Sequence, residues 1–175
     1  VLRANSSGVA GSPSRGGEVS LMTGEGRVGL ASGAMVEARD AAGGSAGVLR
    51  VRAPRVGATA AADVGTEIAV DALAANLDGV RRIEVEGFKV YGSTANTTVN
   101  STLIGRIESD NAAFAGIGGE RSDAILARLT ANDASLADRT SVRAGVELRS
   151  TGNITMSSAW NLSTFDESGS LNRPG

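Results

Sequence analysis

The sequence predicts an all-β chain, a β-solenoid of stacked parallel turns with a short helical insertion around residues 122–131. Three observations predict it. Short runs with apolar side chains two apart recur at Glu18-Val19-Ser20-Leu21, Arg27-Val28-Gly29-Leu30, Val36-Glu37-Ala38-Arg39 and Leu49-Arg50-Val51-Arg52, the pattern of strands with one face on a core and one in water. The steps from Val19 to Val28 and on to Val36 are too short to hold a helix, and the segments between runs are built from Gly, Ser, Ala and Asp, the composition of tight corners. Finally, hydrophobic residues make up 41% of the chain but aromatic ones only 3%, so Val, Leu, Ile and Ala must fill the core, which suits a narrow stacked cross-section better than a broad globular one. The 24 glycines fit frequent corners, although codon usage in a GC-rich genome accounts for them equally. The competing arrangement is the same strands folded as antiparallel hairpins into a sandwich or barrel.

Taken in order, Val1-Leu2-Arg3 is a short strand followed by a Ser/Gly/Pro loop to residue 16, and the first coiling block runs from Gly17 to Arg55. Pro54 cannot donate to a ladder, so the strand at 48–53 should end there. Residues 56–66 form a small-residue loop, Thr66–Val70 resumes the alternation, and Leu73, Leu77 and Val80 suit a turn or a short helix. Arg82–Tyr91 is the longest alternating run, with Ile83, Val85, Phe88 and Val90 inward and a change of phase at Gly87 that predicts a bulge. A polar loop covers 92–101. Leu103–Ile107 reads as a strand or the opening of a helix. Ile125, Leu126 and Leu129 have helical spacing, with Ser122 as N-cap and Asp123 at the positive end of the dipole. The coiling rhythm lapses here, so 108–138 is expected to be an insertion on the flank of one domain spanning 1–175. The rhythm returns with Val146-Glu147-Leu148, Ile154-Thr155-Met156 and Trp160-Asn161-Leu162.

Bulk chemistry narrows the function. With 17 basic and 19 acidic residues the net charge is −2, so no electrostatic footprint marks a nucleic-acid partner. No apolar run reaches the length of a membrane span. There is no Cys and no His, which removes thiolate nucleophiles, imidazole bases and the usual zinc sites. The chain starts without Met and ends at Pro174-Gly175, and is expected to be a piece of something longer.

The phrase Arg143-Ala144-Gly145-Val146-Glu147-Leu148-Arg149-Ser150, followed by Gly152–Met156 and Ala159–Ser163, resembles the large filamentous-haemagglutinin-like exoproteins of Gram-negative bacteria. Gly16–Leu21, Gly26–Ala31, Gly47–Pro54 and Val85–Tyr91 are similar to that family too, so the likeness spans most of the chain. It implies a right-handed parallel β-helix, exported through an outer-membrane two-partner-secretion transporter and displayed at the cell surface or secreted as a long filament used in adhesion or aggregation. The family's secretion-domain signatures, of the Asn-Pro-Asn-Gly type, are not visible in this sequence, and it holds no Arg-Gly-Asp. The segment would then be adhesin shaft, with a host-cell or bacterial surface ligand unnamed.

A second function, from another class, is a carbohydrate-active β-helix enzyme, a polysaccharide lyase or glycosidase. Glu84 and Glu86 share one strand face, with Asp71 and Glu67 on a neighbouring turn, and paired carboxylates about 5 to 9 Å apart suit glycoside hydrolysis. The plainer reading is a solvated face flanked by Arg81 and Arg82, so no catalytic residue is assigned. Calcium at Asp40, Asp63 or Asp110 lacks the Gly-Gly-x-Gly-x-Asp repeat of calcium-loaded β-rolls, and Asp40–Gly44 reads as a corner; neither metal nor cofactor is expected. Asn5, Asn96, Asn100, Asn153 and Asn161 fall in sequons that so much Ser and Thr produces by chance, and Asn153 and Asn161 are the best candidates for corner roles. Trp160, the single Trp, reads as packing in a capped end or in the insertion. An inert spacer in a toxin-delivery stalk is a third function. Because a solenoid's ends expose unpaired strands, end-to-end self-association is expected.

Overall fold

The computed structural model describes residues 1–4, 16–40, 44–57, 65–93 and 95–160. Along these run β1 (Leu2–Arg3), β2 (Glu18–Met22), β3 (Met35–Glu37), β4 (Gly47–Val56), β5 (Glu67–Ile68), β6 (Asn76–Asp78), β7 (Val80–Ser93), β8 (Thr97–Val99), α1 (Ser101–Ala115), α2 (Glu120–Leu129), β9 (Thr140–Ser150) and β10 (Ile154–Met156). A 3-10 turn at Ile117–Gly119 joins the helices, and another at Ala134–Arg139 leads into β9.

The strands form three sheets, ordered β1-β3-β6, β8-β10 and β2-β4-β7-β9, with β5 pairing antiparallel to the end of β4. Every other strand pair is parallel. In the largest sheet the alternating runs lie side by side. Val19, Leu49, Ile83 and Thr140 occupy one row, and Leu21, Val51, Val85 and Val142 another. Among the described residues Arg27–Leu30 contributes a single bridge, Val28 to Val70.

The all-β expectation is corrected. Helices of 15 and 10 residues occupy the stretch after β8, making the chain α/β, and the three separate sheets do not close into a solenoid. The physical reason lies in the core. Phe114 from α1 and Ile125 and Leu129 from α2 are fully buried against Leu49, Ile68, Ile83 and Val85, so helix side chains complete a wall that a solenoid would build from strands. Leu73 N–H donates to the Leu129 carbonyl at 2.8 Å, tying the end of α2 to the chain between β5 and β6.

The helical region begins at Ser101, earlier than the expected insertion at 108–138, and Leu103–Ile107 is part of α1. Asn100 caps α1 by accepting the Leu103 N–H at 2.9 Å. Helix α2 starts at Glu120 behind Gly119, at φ 84°, so Ser122 is inside the first turn and is not its cap, while Glu120 and Asp123 face the positive end of the dipole.

Leu77 lies in β6 and Val80 opens β7, in place of a turn or helix. β4 continues through Pro54 to Val56 because its carbonyl takes the Ala69 N–H at 3.0 Å on a side where β2 has already ended, so no ladder donor is missed. The expected loop at 92–101 holds the end of β7 and all of β8. No bulge occurs at Gly87. Register runs unbroken past it on both sides, and the extra residue is Arg81, opposite the Gly47/Val48 step. Gly87 faces the core, where an added Cβ would lie 2.7 Å from Ile68 Cγ1 and 3.1 Å from the Phe114 ring. Phe88 follows on the opposite face, buried beneath the Arg52 guanidinium 4.0 Å from its ring centre.

Candidate functional site

The outward face of β2-β4-β7-β9 is a lattice of opposite charges, produced by alternation along each strand and parallel register between strands. Glu84 is its centre. Its Oε1 meets Arg82 at 2.9 Å, and its Oε2 meets Arg50 at 2.9 Å and Arg143 at 2.6 Å, with only 11% of the side chain exposed. Arg50 reaches on to Glu18 at 2.9 Å.

One row along, Arg52 bridges Glu86 and Glu147, each at 2.8 Å, and Arg149 meets the free oxygen of Glu147 at 2.5 Å. The hydrogen bond from Arg52 holds the Glu147 carboxyl below its usual range against the opposing effect of burial. Burial works against the Arg52 charge, but hydrogen bonds to Glu147 and Glu86 outweigh it and raise its pKa. Glu86 lies across Gly145, where a Cβ would sit 2.1 Å from its Oε1. Glycine at that position is what lets the carboxylate reach along the sheet.

The residues proposed for glycoside chemistry divide accordingly. Glu84 and Glu86 do share a face, but both oxygens of Glu84 are engaged by guanidinium groups and neither is free to hand a proton to a glycosidic oxygen. Asp71 lies apart, paired with Arg27 at 3.0 Å beside the Val28–Val70 bridge. Glu67 is held by Arg128 of α2 at 2.7 Å.

Asp40 closes a corner, accepting the Gly44 N–H at 2.7 Å. Asp110 is on α1, bound to Tyr91 and Lys89. Among the described residues no group of three or more His, Cys, Asp or Glu could hold a metal ion. Asp63, Asn5 and Asn161 lie outside the described residues. Corner chemistry belongs to Asn96, whose Oδ1 accepts the Asn153 N–H at 2.9 Å, so Asn153 contributes its backbone there. Trp160 is half-buried.

Sequence reasoning missed the polar junction where α1 crosses β4, β7 and β9. Arg55 donates to the carbonyls of Gly87 (2.9 Å), Asp110 (3.3 Å) and Gly145 (3.2 Å) and to Asn111 Oδ1 (2.5 Å), with Phe114 4.4 Å from its guanidinium carbon. Burial lowers its pKa. Beside it Tyr91 OH donates to Asp110 Oδ2 at 2.8 Å, and Lys89 approaches the same oxygen at 3.1 Å. Burial and that hydrogen bond push the Tyr91 phenol far above its ordinary value. No local motif marks this cluster, because its members meet only through tertiary packing. A shallow cleft of about 410 Å³ lies elsewhere, lined by Gly33, Met35, Leu73, Asn76, Asn132 and Leu136 among others.

No protein-family model matches the chain, and neither a curated protein nor a solved structure matches it.

Proposed function

We propose that this chain is a non-catalytic structural segment of a large secreted surface exoprotein, of the filamentous-haemagglutinin-like kind its sequence resembles, and that it supports adhesion or aggregation. The observation that carries the reading is the shared register of β2, β4, β7 and β9. The runs with family likeness, Gly16–Leu21, Gly47–Pro54, Val85–Tyr91 and Arg143–Ser150, are neighbours in one parallel sheet. Their charged side chains neutralise one another from strand to strand. An arrangement that commits its acids to neighbouring arginines serves stiffness better than turnover.

In this reading the chain leaves the cell through a two-partner-secretion transporter in the outer membrane, and surface ligands meet its loops and helical flank. The spacer of a toxin-delivery stalk is a variant of the same role. The carbohydrate-active alternative gains no support from Glu84, whose oxygens are occupied.

An antibody against the chain, applied to intact cells of the organism that encodes it, is expected to label the surface. Labelling only after permeabilisation would sink the proposal. Cleavage of a polysaccharide panel by the chain, abolished in Glu84→Gln and Glu86→Gln, would replace it with the enzymatic reading.

A further inference from the structure

We propose that the free edge of β9 docks β2 of a second copy of this chain, added parallel in the register that continues the sheet. This rests on the edges and not on the adhesive reading. Among the described residues β2 and β9 are the two terminal strands of the β2-β4-β7-β9 sheet. Each therefore presents one side of its backbone without a ladder partner, the condition under which a sheet accepts another strand.

The row that carries the inference is Leu21, Val51, Val85 and Val142. Val51 and Val85 in its middle are 1% and 0% exposed, whereas Leu21 and Val142 at its ends are only half-buried. The row is finished inside the sheet and unfinished at both margins. Placing β2 of a second copy beside β9 sets Leu21 next to Val142 and Val19 next to Thr140, completing two inward rows in one step. On the outward face the same register sets Ser20 beside Ser141, small against small.

In that register no two like charges face each other. Glu18 is the only charged residue of β2, while β9 carries Arg143 and Arg149 against Glu147. Because the contact joins different surfaces of the two copies, each addition leaves one β2 and one β9 free, and association is open-ended.

The native chain has no Cys, which permits a register-specific test. Ser20→Cys and Ser141→Cys are made separately, both at exposed positions, then mixed and oxidised. In the proposed register these two Cβ atoms lie about 5 Å apart, within the small movement a disulfide needs. The expected result is a linked heterodimer of twice the 17.6 kDa chain mass. It should form about tenfold faster than the product from Ser141→Cys with Ser32→Cys, a turn position that reports random collision. In parallel, the weight-average mass of the unmodified chain in sedimentation should rise with concentration. Equal cross-linking rates for the two mixtures would overturn the proposal. So would a product dominated by Ser141→Cys linked to itself, which signals antiparallel pairing of like edges, or a mass that stays at 17.6 kDa over the whole concentration range.

Discussion

Three guanidinium groups converge on Glu84, yet the partners Arg50, Arg82 and Arg143 are themselves about half exposed, so solvent screens part of the attraction. Glu84→Gln is expected to cost about 1 to 2 kcal/mol in urea unfolding, less than the loss of a fully buried pair. A change below the error of that measurement would mean the lattice adds nothing to stability. Tyr91 offers a sharper test because it is the only Tyr in the chain. Its pKa is raised in the folded state by burial and by the hydrogen bond to Asp110, so the contribution it makes is complete below the ordinary value of about 10. It is lost as pH climbs beyond that, because the unfolded phenol ionises while the folded one keeps its proton. Phenolate absorbance should therefore stay flat through pH of about 10 and rise together with the loss of near-ultraviolet dichroism. A rise at ordinary pH with the fold intact would contradict the buried Tyr91–Asp110 contact. Neither Tyr91 nor Arg55 was legible in the sequence, since their partners are in β7, β9 and α1. Glu84 and Glu86 were legible as a pair on one face, and the arginines that occupy them were legible only in part, through flanking Arg82.

Alternation with period two found β2, β4, β7 and β9, because each has one face on the core and one on the charge lattice, and it found β3 and β10 in the two smaller sheets, although β10 is exposed along its whole length. It failed where side chains break the rhythm for a packing reason. Gly87 and Phe88 look like a slipped phase, but the glycine keeps an inner slot empty for Ile68 and Phe114, and the phenylalanine is outward under Arg52. It failed again at α1, whose first residues Ser101–Ile107 fit either period, and whose one clear signal is the capping side chain of Asn100. The space left by Gly87 sets how α1 seats on the sheet. Gly87→Val puts methyl groups where Ile68 and Phe114 already lie, and is expected to destabilise by about 1 to 3 kcal/mol, as overpacking does. Pairing it with Phe114→Leu should recover part of that loss if the clash is with the helix. A Gly87→Val protein as stable as the parent would show that α1 does not rest there.

At the scale of the molecule, parallel neighbours were within reach of the sequence and the closing wall was not. The runs repeat along the chain, but what fills the space they enclose depends on Phe114, Ile125 and Leu129, three residues in a stretch where the rhythm lapses. Strand order then dictates a gradient of local stability. β4 and β7 have neighbours on both sides, whereas β2 and β9 have one each among the described residues. Opening an edge strand frees only the central amides that point at it, so the amides of Leu49, Val51, Glu84 and Glu86, which lie between β4 and β7, should exchange only through global unfolding. Val19–Leu21 and Val142–Arg143 should exchange faster, by local opening. If copies add β2 to β9, that difference is concentration-dependent. Protection of the two edge strands should rise as the chain is concentrated, while that of β4 and β7 stays fixed. Uniform protection at every concentration would contradict both the strand order and the docking of copies; a fixed gradient would leave the order standing and remove the docking.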